Sequence, residues 1–353
     1  MSLSAGQVES MVEKAVAEIE VPGLSLAVFD DGTTIQCATG RAELDPERHV
    51  RPEDLFPIWS VTKIMTATIV SILADRDLLD LRATIASAIP GIRIAGDSAD
   101  RITIRQLLSH TAGLPPIGPS PTGIADTGPG DDCRELFVNS LAPVGLSAQP
   151  GEVYSYSNPG YVVLGYLIER LTKTTWEAAL CELLLDPAGL EEIEVPYHRP
   201  LDAARVALYR GDEAGQLVSV EEIFPTWRSG APCGTTVWGT ARALVDLGRI
   251  FFDGVAPNGR RILSEAALAA MSEPEFPARS AVASPRLFQG LGWRGSDRRG
   301  HRVLAHGGGD HNELSVVPSR NLAVAVMTNG PGGDDLRAQL PRQLIDAAIG
   351  SDA

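Results

Sequence analysis

The most continuous apolar stretch of the chain covers residues 61–74, where Ile64, Met65, Ala67, Ile69, Val70, Ile72 and Leu73 leave almost no polar face. That pattern predicts a helix buried in a core rather than one lying on a surface. Val8, Met11, Val12, Ala15 and Ile19 recur at helical spacing and predict an amphipathic helix near the N-terminal end. After Pro22-Gly23, residues 24–29 read as a strand, Asp30-Asp31-Gly32 as a tight turn, and residues 33–39 as the hairpin partner. Residues 78–190 are helical and loop-rich, with helices expected over 104–108, 134–141, 161–171 and 176–185. Helices over 236–252 and 265–271 follow, then strands over 302–305, 313–317 and 322–327, the last two joined by Pro318-Ser319-Arg320-Asn321. A helix over 335–349 closes the pattern. Strands toward both ends with helices between predict an α/β (α+β) fold. One antiparallel sheet is assembled from both ends of the chain, flanked by helices, with an inserted mainly helical subdomain.

With 353 residues and 44% hydrophobic content, the chain can bury a large core as one catalytic unit of two subdomains. Residues 1–75 and 220–353 would form the sheet part and 76–219 the helical part, with the site at their interface. A net charge of -15 and a pI near 4.9 argue against nucleic acid or an anionic membrane as partner, since both need a basic surface. Cys37, Cys133, Cys181 and Cys233 form no Cys-x-x-Cys pair and read as reduced and mostly buried. No basic region followed by an apolar run opens the sequence, and no uncharged apolar stretch approaches 18 residues, so a cytoplasmic location is expected. Residues 115–132, rich in Pro and Gly and without periodicity, read as a lid or rim, with simple disorder as the alternative.

Within the apolar helix Lys63 stands out. It follows Ser60 by three residues, one turn along the same face, close enough to share a proton with the hydroxyl. A serine is a weak nucleophile until a base takes its proton, and an ammonium cannot be that base. Burial disfavours the charged form of lysine, and Trp59, Ser60, Thr66 and Ala67 offer no carboxylate to hold the charge, so Lys63 is placed to work as a general base. Ser60 at the helix start would also have backbone N–H groups and the positive dipole end beside it, which suits an oxyanion. The alternative for Ser60 is an ordinary N-cap. With only three lysines, Lys14, Lys63 and Lys173, chance yields about 0.2 Ser-x-x-Lys spacings in a chain of this composition.

Two further stretches could complete a site. In residues 150–160, Asn158 can cap a helix whose first position is Pro159, while Tyr156 beside a lysine could shuttle protons and Asn158 could orient a lysine or a substrate amide. Leu304-Ala305-His306-Gly307-Gly308-Gly309-Asp310-His311 ends a strand with glycines that let a substrate backbone approach and leave N–H groups for an oxyanion. A metal site built from His301, His306, Asp310 and His311 fits no common zinc spacing, and no metal is expected.

Ser60-Val61-Thr62-Lys63, Tyr156-Ser157-Asn158 and His306-Gly307-Gly308, in that order and at those intervals, resemble the serine β-lactamase and penicillin-binding-protein superfamily. The resemblance is to its class C-like branch, with the family VIII carboxylesterases and D-aminopeptidases. The run from Leu107 through His110 and Gly113 to Pro115 is similar to that branch's His-Thr-Ser-Gly-Leu segment, residues 156–165 to its Tyr-Ser-Asn-x-Gly-Tyr helix, and Gly290-Leu291-Gly292-Trp293 to the approach to its third motif. It covers about residues 20–330 and implies a β-lactamase/transpeptidase-like fold, no cofactor, and an acyl-enzyme mechanism. Ser60 would attack an ester or amide carbonyl, and Lys63 and Tyr156 would move the proton to the leaving group. The N–H groups of Ser60 and Gly309 would form the oxyanion hole, and Asn158 would hold Lys63 or the acyl side chain. His110 and Gly113 would be structural, holding a helix-to-loop turn.

One departure narrows the substrate. Where β-lactamases and penicillin-binding proteins carry Lys-Thr-Gly or Lys-Ser-Gly to receive a carboxylate, this chain has His306-Gly307-Gly308, without the hydroxyl. A small ester or amide lacking that carboxylate is therefore the expected substrate, and the expected activity is that of an esterase-like serine hydrolase. Acyl transfer, D-amino-acid amidase or peptidase activity on the same fold, and a non-catalytic ligand-binding domain are the alternatives. The polar run Asp310-His311-Asn312-Glu313 reads as a contact for a polar or cationic substrate or as a solvated rim.

Overall fold

A computed structural model describes residues 2–94, 96–115, 128, 130–220, 228–234, 236–277, 287–309 and 311–350. The nine-stranded sheet comprises β1 (Gly23–Asp30), β2 (Thr33–Leu44), β3 (Glu47–His49), β4 (Phe276–Pro277), β5 (Leu287–Gln289), β6 (Arg294–Arg298), β7 (His301–Gly308), β8 (Asn312–Val317) and β9 (Leu322–Thr328). Its order is β3-β2-β1-β9-β8-β7-β6-β5-β4, antiparallel throughout, so the two ends of the sequence meet where β1 pairs with β9. Leu26 lies opposite Val326 and Val28 opposite Val324. Asp31 and Gly32, both at positive φ, turn the expected β1–β2 hairpin in two residues, and β2 continues to Leu44.

The two-residue period of these strands sorts side chains into two cores. Leu24, Leu26, Val28, Leu322, Val324 and Val326 face helices α1 (Ala5–Glu18) and α8 (Gly333–Ile349). Ala27, Phe29, Ala323, Ala325 and Met327 join the larger core on the other face, with α2 (Thr62–Asp75) and α6 (Ala241–Asp253). Every residue of β1 and β9 is buried, as a central strand covered on both faces requires.

In α2, residues 62–73 are all buried, as its apolar composition predicted. Against it pack α4 (Asn158–Thr172), α5 (Trp176–Leu180) and α7 (Glu265–Ser272), and α3 (Cys133–Ser140) packs on α4. Two expectations are corrected, and one strand went unforeseen. Residues 236–252 do not form one helix: Trp238–Gly239 is a short strand, and α6 starts at Ala241, where Thr240 accepts the N–H of Ala243. The helix over 176–185 is interrupted after Leu180 by a π-turn, Cys181–Leu185. Strand β6, with Asp297 and two arginines among its five residues, has no apolar alternation to announce it. Among the described residues no disulfide joins the cysteines, and no helix is long and apolar enough to cross a membrane.

Candidate active site

A 3-10 turn, Trp59–Val61, leads into α2 and carries Ser60. Trp59 holds φ at +48°, a left-handed conformation that costs a non-glycine residue about 1–2 kcal/mol. Two glycines grip this turn from either side. A Cβ on Gly234, itself at φ +111°, would stand 2.0 Å from the Trp59 carbonyl oxygen, and one on Gly308 would stand 2.6 Å from that of Ile58. Bare backbone at both positions lets β7 and the segment ending at Gly234 close on the serine turn.

Lys63, fully buried, places Nζ 3.0 Å from Ser60 Oγ and donates to the carbonyl of Cys233 at 2.5 Å. Among the described residues no carboxylate pairs with it. The rings of Tyr156 and Tyr161 lie 4.9 and 5.6 Å from Nζ. Tyr161 donates to the Leu108 carbonyl, and burial pushes its phenol well above the usual range. Burial also pushes up Tyr154, against the opposing pull of Arg294.

Tyr156 is fixed by its neighbours in sequence. Ser155 N–H donates to the carbonyl of His110 (2.8 Å), Ser157 N–H donates to His110 Nδ1 (3.1 Å), and the imidazole stacks 4.4 Å from the phenol ring. His110, itself left-handed at φ +58°, thus clamps the chain on both sides of Tyr156. Burial, with Lys63 and His306 nearby, holds it well below the usual imidazole range, so it is neutral. The cap of α4 is Ser157, whose hydroxyl accepts the Gly160 N–H, and not Asn158, which is already helical. Asn158 Oδ1 is buried without a partner among the described residues, and no hydrogen bond joins it to Lys63.

His306 faces the same space, its ring 6.3 Å from that of Tyr156. Its Nδ1–H donates to the Gly307 carbonyl, which leaves Nε2 as an acceptor. Burial, then Arg294 and Lys63, keeps it well below the usual range and uncharged. The cation on this side is Arg294 of β6, whose guanidinium lies 5.1 Å from the Tyr156 ring centre. A Cβ on Gly307 would stand 2.6 Å from the Arg337 guanidinium of α8, so any side chain there would displace the end of that arginine. Gly309 lies against the Trp59 indole.

In the polar run after the glycines, His311, Asn312 and Glu313 are buried or half-buried rather than a solvated rim. Asn312 is fully buried and donates to the Pro57 carbonyl at 2.5 Å, while the His311 ring lies 6.0 Å from Trp59. Asp310, and most of the 115–132 loop, lie outside the described residues. His301 bonds Ser319 at the end of β7 opposite His306.

Sequence reasoning thus named Ser60, Lys63, Tyr156 and His306, which stand together, but missed the Cys233 carbonyl, Gly234 and Arg337. Any residue can supply a carbonyl, so only the Pro232–Gly234 turn composition could have marked the segment.

A family model described as Beta-lactamase matches residues 8–349. Penicillin-binding protein 4 of Amycolatopsis lactamdurans is 34% identical over 342 residues, covering 94% of this chain and 87% of that protein. The crystal structure of SurE superposes with a TM-score of 0.80 at 28% identity, over 96% of this chain and 75% of SurE. A D-stereospecific amidohydrolase from Streptomyces gives a TM-score of 0.78 at 24% identity, over 99% and 100% of the two chains.

Proposed function

The chain belongs to the beta-lactamase family, whose fold serves serine hydrolases, and from that premise we propose that it acts through an acyl-enzyme on a small ester or amide, esterase-like rather than a β-lactamase. The supporting observation is the buried Lys63 amine, 3.0 Å from Ser60 Oγ and free of any carboxylate among the described residues. Ser60 Oγ bonds to the substrate carbonyl carbon as Lys63 Nζ takes its proton. Lys63 passes that proton through Tyr156 to the departing alcohol or amine as its bond to the carbonyl carbon breaks. Water, giving a proton to the same pair, then attacks the acyl carbon, and that proton returns to Ser60 Oγ as the ester bond breaks. Asn158, with an unpartnered buried oxygen, is assigned to the acyl group rather than to Lys63. His306, Gly307, Gly308 and Gly309 border the acyl group, with the N–H groups of Ser60 and Gly309 as oxyanion donors.

The neutral His306 and the side chain missing at Gly307 argue against a carboxylate pocket of the β-lactamase kind. Arg294 favours a second reading, a peptidase for D-amino-acid substrates that present a carboxylate, on the fold shared with the Streptomyces amidohydrolase. Intact-mass analysis after a fluorophosphonate probe tests the nucleophile. One adduct on the wild type and none on Ser60→Ala is expected; an adduct retained by Ser60→Ala removes Ser60 from the role, and no adduct on the wild type favours a non-catalytic binding domain.

A further inference from the structure

Acylation chemistry does not account for the buried charges of the helical region. Arg134 of α3 is fully buried and donates to Glu169 of α4 at 2.6 Å, to Glu177 of α5 at 2.6 Å, and to the backbone carbonyl of Arg228 at 3.1 Å. Arg228 in turn donates to Glu177 at 3.0 Å and to Asp131 at 2.7 Å. Two helices, α3 through Arg134 and α5 through Glu177, therefore hold Arg228, the first residue of the 3-10 run Arg228–Cys233, and Arg134 ties α4 to the same cluster. Its last residue supplies the carbonyl 2.5 Å from Lys63 Nζ.

Between these ends the run is locked. Cys233 Sγ and Gly234 N–H both donate to the Gly230 carbonyl, and Thr66, one turn beyond Lys63, donates to the Pro232 carbonyl at 2.7 Å. Pro232 packs on Gly165 of α4 so closely that a Cβ there would lie 2.2 Å from its ring. A carbonyl oxygen only accepts, so Cys233 must engage an N–H of Nζ. In the neutral amine this directs the lone pair elsewhere, and the group 3.0 Å away is the Ser60 hydroxyl.

We propose that the Arg134–Glu177–Arg228 cluster is a positioning device for the general base, anchoring the 228–233 run so that the Cys233 carbonyl aims Lys63 Nζ at Ser60. The proposal rests on the acyl-enzyme reading above. These are positioning residues, since none touches the substrate or the reacting atoms.

The test is single-turnover acylation by a chromogenic ester in Glu177→Gln, which keeps the shape of the side chain and removes its charge. Thr66→Val, which loosens the same run from α2, is the second variant should Glu177→Gln not fold. Arg298→Ala, which breaks an ion pair with Asp346 beyond the far end of β7, is the control for general destabilisation. The expected result is an acylation rate constant lower by about tenfold or more, an unchanged substrate dissociation constant, and a displaced pH limb of acylation, with the control within about twofold. An acylation constant and pH limb like the wild type's overturn the proposal, as does an equal loss in Arg298→Ala or a loss confined to substrate affinity. Failure of wild-type acylation would instead sink the acyl-enzyme reading, before any variant is compared.

Discussion

At Lys63 an amine is enclosed by two aromatic rings, a hydroxyl and a carbonyl, and the proposed mechanism uses it as the general base. Lys63→Ala and Tyr156→Phe are each expected to lower turnover by roughly two or more orders of magnitude, the scale of general acid–base groups. Steady-state kinetics on p-nitrophenyl acetate check this, and wild-type rates in either variant would take that residue out of the mechanism. His110 should act through Tyr156. His110→Phe keeps a ring for stacking but loses the acceptor for Ser157 N–H, so kcat is expected to fall about tenfold or more while KM changes little. The Ser60–Lys63 pair was legible in the sequence because helical spacing alone brings positions three apart onto one face. The Cys233 carbonyl and the left-handed Trp59 were not, because tertiary packing against Gly234 and Gly308 sets them.

At the scale of elements, β7 and α8 together decide what the third motif can hold. A threonine at 307 would push aside the end of Arg337, which also pairs with Asp334 on its own helix. Gly307→Thr is therefore expected to cost little stability and, because His306 stays uncharged, to gain no β-lactam turnover. Thermal melts and cephalosporin hydrolysis read both outcomes. In the wild type, p-nitrophenyl acetate or butyrate should exceed a cephalosporin by about a hundredfold in kcat/KM, since each 1.4 kcal/mol of lost discrimination is about tenfold. Comparable efficiencies would mean that Arg294 receives the carboxylate in place of the motif. The strands with apolar alternation, β1, β8 and β9, were readable, and so was α2. Strand β6 was not, because its charged side chains carry no core-facing period and its place comes from pairing with β7.

For the whole molecule, two buried neutral histidines set an acid limit. His110 and His306 titrate well below 6.5 in the fold, so above pH 6.5 neither state binds the extra proton and the stability is intact. As pH falls below 6.5 the unfolded chain takes up protons that the folded chain refuses, and each histidine then removes about 1.4 kcal/mol per pH unit. Urea midpoints at pH 7 and pH 5 should separate more for the wild type than for His306→Asn; equal separations would show that the imidazole is not the sensor. The pairing of β1 with β9 has a further consequence, for synthesis. The serine helix leaves the ribosome before β7, which bears the glycines facing it, and before β9, which closes the sheet around β1. A nascent chain halted before β7 carries the proposed nucleophile without its partner wall, so acylation is expected only after β7 and β9 have been made.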